Sequence, residues 1–224
     1  MIYPSSAPDR RNSLLPRIFL IDPASLPARL EGRVVVLEPL RRDHGPGLYG
    51  AMQDPEIWSW LPIAQPTTEE AFAAWLDTAL GNAEAGVEVP FAQLRASDGT
   101  PIGSTRFMTI RPEHDGVEIG WTWLASSEWG AGANVEAKLL LMRHAFETVR
   151  CMRVEFKTDA RNERSRAALA ALPAQFEGIS RKHMLVRDGR LRDSAWYAVT
   201  NDDWPEVEAA LEARLDAKLG GRGA

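Results

Sequence analysis

Residues 126–134, SSEWGAGAN, continue without a break into residues 135–149, VEAKLLLMRHAFETV. The preceding residues 117–124, VEIGWTWL, have the β-branched and aromatic composition of a strand. Small residues in a turn between a strand and a helix let backbone amides approach an anion, and the N-terminus of the helix favours its negative charge. Strand, glycine-rich turn and helix together predict an anion-binding site.

The helix after this turn carries an apolar stripe. Its apolar residues recur at helical spacing: Val135, Leu139, Met142, Phe146 and Val149. We expect this stripe to face a core, whereas Glu136, Lys138 and Arg143 lie outside it.

Two nucleotide-binding motifs fit the turn poorly. A P-loop requires Gly-x-x-x-x-Gly-Lys-Ser/Thr, which is missing. A dinucleotide-binding turn requires Gly-x-Gly-x-x-Gly, and Val135 occupies the third glycine position. Glu155 stands about where the ribose-binding acid would be, but such turns normally follow the first strand of a βαβ repeat. A glycine turn that merely begins a helix remains an alternative.

Composition and charge bound the function. The chain has 224 residues, enough for one sizeable domain, and its net charge of −5 gives no overall attraction to DNA, RNA or anionic lipid. Cys151 is the only cysteine, so we expect no internal disulfide, a reducing cytoplasmic location and a packing role for this thiol. The four histidines lack metal-ligand spacing, and no apolar run approaches the ~20 residues of a membrane span. Prolines and an aspartate interrupt the N-terminal apolar stretch, which argues against a signal peptide.

The order of elements predicts one mixed α/β structure in layers. Thr67 and Glu70 have capping-box spacing, and Asp43, Asp54 and Asp203 are further expected helix caps. We expect an irregular N-terminal extension over 1–31, a single domain over 32–200 and a C-terminal helix and tail over 201–224. Expected strands cover 32–40, 89–96, 104–112, 117–124 and 152–159, with two more within 175–200 joined at Asp188-Gly189; the longer expected helices cover 67–86, 135–149, 160–172 and 202–219.

From about Gly32 to Thr200 this order resembles the GNAT acyl-CoA N-acyltransferases, and most of all the branch that acetylates ribosomal-protein N-termini. Three segments carry the resemblance: 117–147, VEIGWTWLASSEWGAGANVEAKLLLMRHAFE; 153–169, RVEFKTDARNERSRAAL; and 174–184, AQFEGISRKHM. The family loop is usually Gln/Arg-x-x-Gly-x-Gly/Ala. Trp129 and Asn134 depart from it at the first and last positions, and Gly132 keeps the central glycine.

The resemblance implies a fold, a cofactor and its contacts. The fold is a single α/β domain with a central mixed, mostly antiparallel, twisted sheet flanked by helices. Acetyl-CoA lies where strand 117–124 splays away from strand 152–158, with its pantetheine arm along Trp123 and Leu124. Asn162 meets the pantetheine or phosphate region, or serves as a helix N-cap. The pyrophosphate is held by the loop amides of Gly130, Ala131, Gly132, Ala133 and Asn134.

The resemblance also assigns the chemistry. Glu118 occupies a frequent general-base position for the attacking amine, with an ordinary strand residue as the alternative. Ser165 corresponds to the hydroxyl placed near the sulfur of the leaving thiolate, with a helix-terminal serine as the alternative. A backbone N–H near Trp123 stabilises the oxyanion. No metal is expected.

The acceptor and its partners are the least defined part of the prediction. Aromatic residues line an amine pocket or belong to the core: Trp58, Trp60, Trp75, Trp121 and Trp123. A basic hairpin is expected to be solvated rather than to meet an acidic partner: Arg181, Lys182, Arg187, Arg190 and Arg192. We expect acetyl-CoA and a protein N-terminus or small amine as partners, no DNA and no membrane, and the chain is compatible with a homodimer. Three function classes stay open, namely an N-acetyltransferase, an inactive CoA-binding regulatory module and a nicotinamide-dependent enzyme.

Overall fold

A computed structural model describes residues 21–221 of the chain. Eight strands form one sheet in the order β1-β2-β3-β4-β5-β6-β8-β7. Neighbouring strands are antiparallel except β5 and β6, which are parallel. The expected mixed, mostly antiparallel sheet is therefore confirmed. The strands are β1 Leu30–Glu31, β2 Val35–Pro39, β3 Val89–Arg95, β4 Pro101–Arg111, β5 Gly116–Leu124, β6 Arg153–Asp159, β7 Gln175–Leu185 and β8 Leu191–Thr200.

Five α-helices accompany the sheet in this range: α1 Gly45–Ala51, α2 Glu69–Glu84, α3 Ala133–Arg143, α4 Glu163–Ala170 and α5 Trp204–Gly220. One turn of π-helix, His144–Thr148, extends α3. The N-cap of α2 is Thr68, whose hydroxyl accepts from the Ala71 amide. The capping box predicted for Thr67 and Glu70 therefore does not form, because the third helical residue is Ala71 and has no side-chain acceptor. None of these helices has the length and apolar character needed to cross a membrane.

The two faces of the sheet carry separate cores. Phe91 belongs to the core that α3 and α5 cover, and its neighbour Ala92 belongs to the core formed with α1 and α2, because alternate strand residues point to opposite faces. The predicted apolar stripe of α3 and its extension is fully buried in the first core, which confirms it. Ile21 and Leu26 are buried there too, and Pro23–Ser25 form a 3-10 turn. Residues 1–20 of the expected irregular extension lie outside the described range.

Glu136 contradicts the expectation that it lies away from the core. It is 3% exposed, and its carboxylate accepts from the backbone amides of Arg33, Val34 and Val35 at 2.7, 2.6 and 2.8 Å. Three amide donors replace the water that a buried carboxylate loses, which makes the burial tolerable. Glu136 thus ties the helix after the glycine-rich turn to the beginning of β2.

Candidate active site

The cleft begins where β5 and β6 part. The two strands pair only from Gly116 with Arg153 to Glu118 with Glu155, and the pairing then stops. A bulge follows in β5, because Trp121 and Thr122 lie between residues that pair with Arg106 and Ser104 of β4, and Trp121 has a φ of 51°. A bulge bends its strand and increases its twist. The second half of β5 therefore has no strand partner on the β6 side.

A cleft of about 400 Å³ occupies this opening. It brings together most of the residues that the sequence selected: Glu118, Trp123, Leu124, Gly130, Gly132, Asn134, Asn162 and Ser165. Ala131 and Ala133 are the exceptions, since both side chains are buried and neither lines the cleft. Leu124 contributes a carbonyl that already accepts from the Trp129 indole N–H at 3.1 Å.

The glycine-rich turn presents free backbone donors. Gly130 and Gly132 have φ of 80° and 103°, a region that side chains rarely adopt, and Gly132 is the N-cap of α3. Within residues 21–221, the amides of Gly132, Ala133 and Asn134 donate to no acceptor. The amide of Ala131 donates to the Glu128 carbonyl at 3.2 Å, so it is not one of the free donors. Unbonded amides at a helix N-terminus are donors of the kind that bind an anion.

Cations that the sequence analysis missed surround this turn: Lys138, Arg164, Arg214 and Lys218 all line the cleft. Lys138 donates to the Asn134 side-chain oxygen at 2.7 Å, and Lys218 donates to the Gly130 carbonyl at 3.0 Å. The Arg164 guanidinium lies 3.9 Å from the centroid of the Trp129 ring. Burial, followed by the charge of Arg214, lowers the pKa of Lys138 to about 8.

Only one of these cations carried a usable sequence signal. Lys138 follows Asn134 by four residues, so the two share a helix face one turn apart. Arg214 and Lys218 are also four residues apart, but they lie on α5, and no sequence pattern indicates that α5 packs beside the turn. Their contribution comes from tertiary packing.

The beginning of α4 supplies two polar groups. The Asn162 side-chain oxygen accepts from the Ser165 amide at 3.0 Å, so Asn162 is the N-cap, and its side-chain amide nitrogen has no partner within residues 21–221. The Ser165 hydroxyl likewise forms no hydrogen bond in that range and lines the cleft. Both residues can therefore stabilise the beginning of the helix and still form hydrogen bonds with a molecule in the cleft.

Glu118 lies at the opposite end from the turn and is 1% exposed. Its carboxylate accepts from the Thr109 hydroxyl at 3.0 Å and lies 3.3 Å from the Lys157 ammonium. The Lys157 ammonium also lies 5.0 Å from the centroid of the Trp196 ring. Glu118 is thus held by partners on β4 and β6, and it is not an ordinary solvated strand residue.

The aromatic residues divide between core and cleft. Trp58 and Trp75 pack against Trp123 with ring centroids 5.9 and 6.1 Å apart, in the second core. Trp60 and Trp121 line the cleft. Trp123 belongs to both groups, since it lines the cleft as well, so Trp60, Trp121 and Trp123 are placed to contact a molecule bound there.

The basic hairpin is only partly solvated, which corrects the expectation for Arg187 and Arg192. Arg187 donates to the carbonyls of Trp58 and Ser59 at 2.6 and 3.2 Å and fastens the hairpin tip to the loop before α2. Arg192 is 6% exposed and lines the cleft. A backbone pattern of exposed strands could not reveal these contacts, because they depend on which loops lie opposite.

Glu155 and Cys151, two side chains that could take part in chemistry, both have structural surroundings instead. Glu155, the possible ribose-binding acid, accepts from Arg111 and Arg153 at 2.7 and 2.8 Å and does not line the cleft, which removes the support for nicotinamide binding. Burial raises the pKa of the Cys151 thiol to about 12, as expected of a packing residue. The described residues contain no group of three or more His, Cys, Asp or Glu arranged to hold a metal.

Comparison with known proteins agrees with this geometry. Residues 35–174 match the family model described as the acetyltransferase (GNAT) domain. No curated protein matches the chain. Among solved structures, a candidate acetyltransferase of T. thermophilus is 45% identical, with 84% of this chain and 97% of that chain covered and a TM-score of 0.76.

Two further structures extend the likeness. A GCN5-related N-acetyltransferase of Brucella melitensis is 33% identical, with 84% and 86% of the two chains covered and a TM-score of 0.79. Mycobacterium smegmatis RimJ, solved in complex with CoA-disulfide, is 25% identical, with 85% and 96% covered and a TM-score of 0.73. RimJ agrees with the branch that the sequence resembled. The matched domain covers more than half of the chain, and the protein therefore belongs to the GNAT acetyltransferase family, whose members use acetyl-CoA.

Proposed function

We propose that the protein transfers the acetyl group of acetyl-CoA to a primary amine, on a protein N-terminus or a small molecule, by direct attack in a ternary complex. The observation that carries this proposal is the continuity of the cleft. It runs from the free amides of the glycine-rich turn, past the unpaired half of β5, to the carboxylate of Glu118.

The cofactor end is suited to phosphate. The amides of Gly132, Ala133 and Asn134 hold the pyrophosphate at the N-terminus of α3, with Lys138 and Lys218 adding positive charge. Acetyl-CoA supplies the thioester when bound. Backbone groups of β5 around Trp123 and Leu124 hold the pantetheine arm as an added strand would be held. The Asn162 side-chain amide is a further donor along this path.

The reaction needs three more contributions from the chain. Glu118 accepts the proton of the attacking amine, directly or through a water molecule. A backbone N–H near Trp123 stabilises the oxyanion as the thioester carbonyl is attacked. The Ser165 hydroxyl, which has no other partner in the described range, donates to the departing thiolate.

Release of CoA thiol with a panel of amines tests the proposal. The panel contains peptides with different N-terminal residues and small amines, and the product is identified by mass spectrometry. We expect thiol release that depends on one class of amine, at a rate above hydrolysis of acetyl-CoA alone. In a separate experiment the melting temperature is measured while acetyl-CoA, CoA or NAD(H) is added. We expect only the CoA compounds to raise it.

One observation favours a second function, a CoA-binding module without turnover. Glu118 already has Lys157 and Thr109 as partners, as a structural carboxylate would. Tight CoA binding together with no amine-dependent thiol release across the panel would support that function and refute transfer.

A further inference from the structure

Arg192 is a buried cation without a partner. It is 6% exposed, it lines the cleft, and no hydrogen bond or ion pair joins its guanidinium to any residue of the described range 21–221. Its Nε is shielded from solvent as well as unbonded. Buried arginines are almost always paired, because a charge removed from water needs compensation. This guanidinium therefore lacks the anion that its position calls for.

The nearest carboxylates belong to other cations. Asp159 pairs with Arg161, with Nε–Oδ1 and Nη2–Oδ2 distances of 3.1 and 3.0 Å. Glu118 lies 3.3 Å from the Lys157 ammonium. Burial lowers the pKa of Arg192, and the charges of Asp159 and Glu118 oppose that shift. Neither carboxylate forms a hydrogen bond or an ion pair with the guanidinium.

The charges at this end of the cleft do not cancel. Lys157, Arg192 and Glu118 line it and together leave one positive charge, while Met184, Trp60 and Trp121 add apolar surface. The nearby His183 adds no charge at neutral pH, because partial burial and then the charges of Lys157 and Arg192 lower its pKa. An acceptor with an ammonium group alone would meet net repulsion here.

We propose that Arg192 binds a carboxylate of the acceptor, so that the acceptor is a primary amine with a carboxylate a few bonds from its nitrogen. This inference rests on the proposed N-acetyl transfer and names the acceptor class. A planar guanidinium matches a carboxylate with two parallel hydrogen bonds, which fixes the orientation as well as the position of the molecule. With its carboxylate on Arg192, such an acceptor keeps its amine on the side of Glu118, which lines the same end of the cleft.

The carboxylate has two possible sources, and the acceptor panel separates them. A free amino acid carries its α-carboxylate two bonds from the amine. A peptide that begins with Asp or Glu carries a side-chain carboxylate slightly farther away. The matched pairs are each amino acid with its carboxamide, and each acidic peptide with its Asn or Gln counterpart, compared at equal concentrations of neutral amine.

The test variant is Arg192→Gln, with Arg190→Gln as its control, because Arg190 is exposed on the same hairpin and makes the same change in charge. Removal of an unpaired buried charge should not destabilise the fold, which a thermal melt checks. We expect kcat/KM for the carboxylate-bearing acceptor to fall roughly 10- to 100-fold, mainly through KM, as loss of a charge-assisted contact predicts. The carboxamide should react slowly with both proteins, and Arg192→Lys should recover part of the loss.

The possible outcomes separate this inference from the proposed function. If carboxamide and amino acid react equally well, and Arg192→Gln slows both by the same factor, the carboxylate site is wrong and acetyl transfer stands. If no amine is acetylated, calorimetric titration of the amino acids and acidic peptides into the CoA-loaded protein decides. Binding that Arg192→Gln abolishes retains the carboxylate site and refutes transfer. Absence of binding refutes the site as well.

Discussion

The two ends of the cleft are built from different chemical groups, backbone amides at one end and side chains at the other. The proposed cofactor end consists of consecutive backbone amides in one turn, at Gly132, Ala133 and Asn134, with cations around them. The proposed acceptor end consists of side chains from three strands, Glu118 on β5, Lys157 on β6 and Arg192 on β8. The first is a local structure that a short sequence can specify. The second exists only after distant strands have paired, and so it can differ between relatives that share the same turn.

The largest expected effect tests the acceptor end alone. Glu118→Gln keeps the shape of the side chain and removes its basicity, so turnover should fall by roughly 10²–10⁴-fold while acetyl-CoA affinity is retained. The defect should shrink as pH rises, because more of the amine is then neutral and needs no base. A pH–rate profile with one active amine measures this.

The control for Glu118→Gln is Glu155→Gln. Glu155 is the residue of β6 that lies opposite Glu118 in the strand register, but it does not line the cleft. It should leave turnover near that of the parent. A constant loss at every pH in Glu118→Gln would indicate a positioning role for this carboxylate, and full activity would remove Glu118 from the mechanism.

The support behind the cofactor end gives the next largest effect. Glu136→Ala removes a carboxylate that accepts from three buried amides, so the free energy of unfolding should fall by about 3 to 5 kcal/mol. Urea unfolding followed by circular dichroism measures it. Glu208→Ala breaks a surface ion pair with Arg143 and should cost about 1 kcal/mol or less. Equal losses in the two variants would mean that Glu136 has no special role.

Gly132→Val should break the cofactor end without touching the acceptor end. A branched side chain is strained at a φ of 103°, and its Cβ would meet the side chains of Leu215 and Val34 at 3.4 and 3.9 Å. The turn that carries the free amides should therefore shift, and acetyl-CoA affinity should fall roughly 10- to 100-fold. Calorimetry gives the affinity. Gly99→Val has a similar strained φ of 72° in an open hairpin turn and serves as the control. Unchanged affinity in Gly132→Val would place the phosphates elsewhere.

Ser165 tests the departure of the thiolate, the step in which the cofactor and the acceptor both take part. Ser165→Ala should lower kcat about tenfold and leave acetyl-CoA affinity near that of the parent, because the proposed hydrogen bond forms mainly as the thiolate develops. Steady-state kinetics and a binding titration separate the two quantities. Ser127→Ala, on an exposed residue before the turn, is the matched control. An unaltered kcat would leave Ser165 with its helix-terminal role only.

The smallest effect is a pH dependence at the cofactor end. The pKa of Lys138 is about 8 in the free protein, so its ammonium is charged below pH 8 and loses its charge as pH rises above it. Phosphate favours the charged form, and CoA affinity should therefore weaken roughly 3- to 10-fold between pH 7 and 9.5. Lys138→Met should bind more weakly at pH 7 and lack this dependence, whereas exposed Lys182→Met should retain it. The same slope in all three proteins would assign the titration to another group.

The sequence by itself determined the local parts of this protein. The Gly-x-Gly turn, the apolar stripe of α3 and the Asp188-Gly189 turn each depend on residues within a few turns or strands of one another, and each lies where the sequence predicted. The resemblance implied a shared site for Glu118, Asn162 and Ser165, and all three line one cleft in the structure. Periodicity and turn chemistry act over short distances, which is why they are readable without a fold.

Only the tertiary structure decided where the charged side chains lie and which groups they contact. Glu136 reads as a solvated helix residue, yet it binds amides about a hundred residues away in the chain. Arg192 reads as part of a basic hairpin, yet it is buried at the cleft, and Arg214 and Lys218 reach the turn only because α5 packs against α3. A charged side chain carries no periodic signal of its partner, and whether it is solvated, paired or left for a ligand depends on which element packs opposite it.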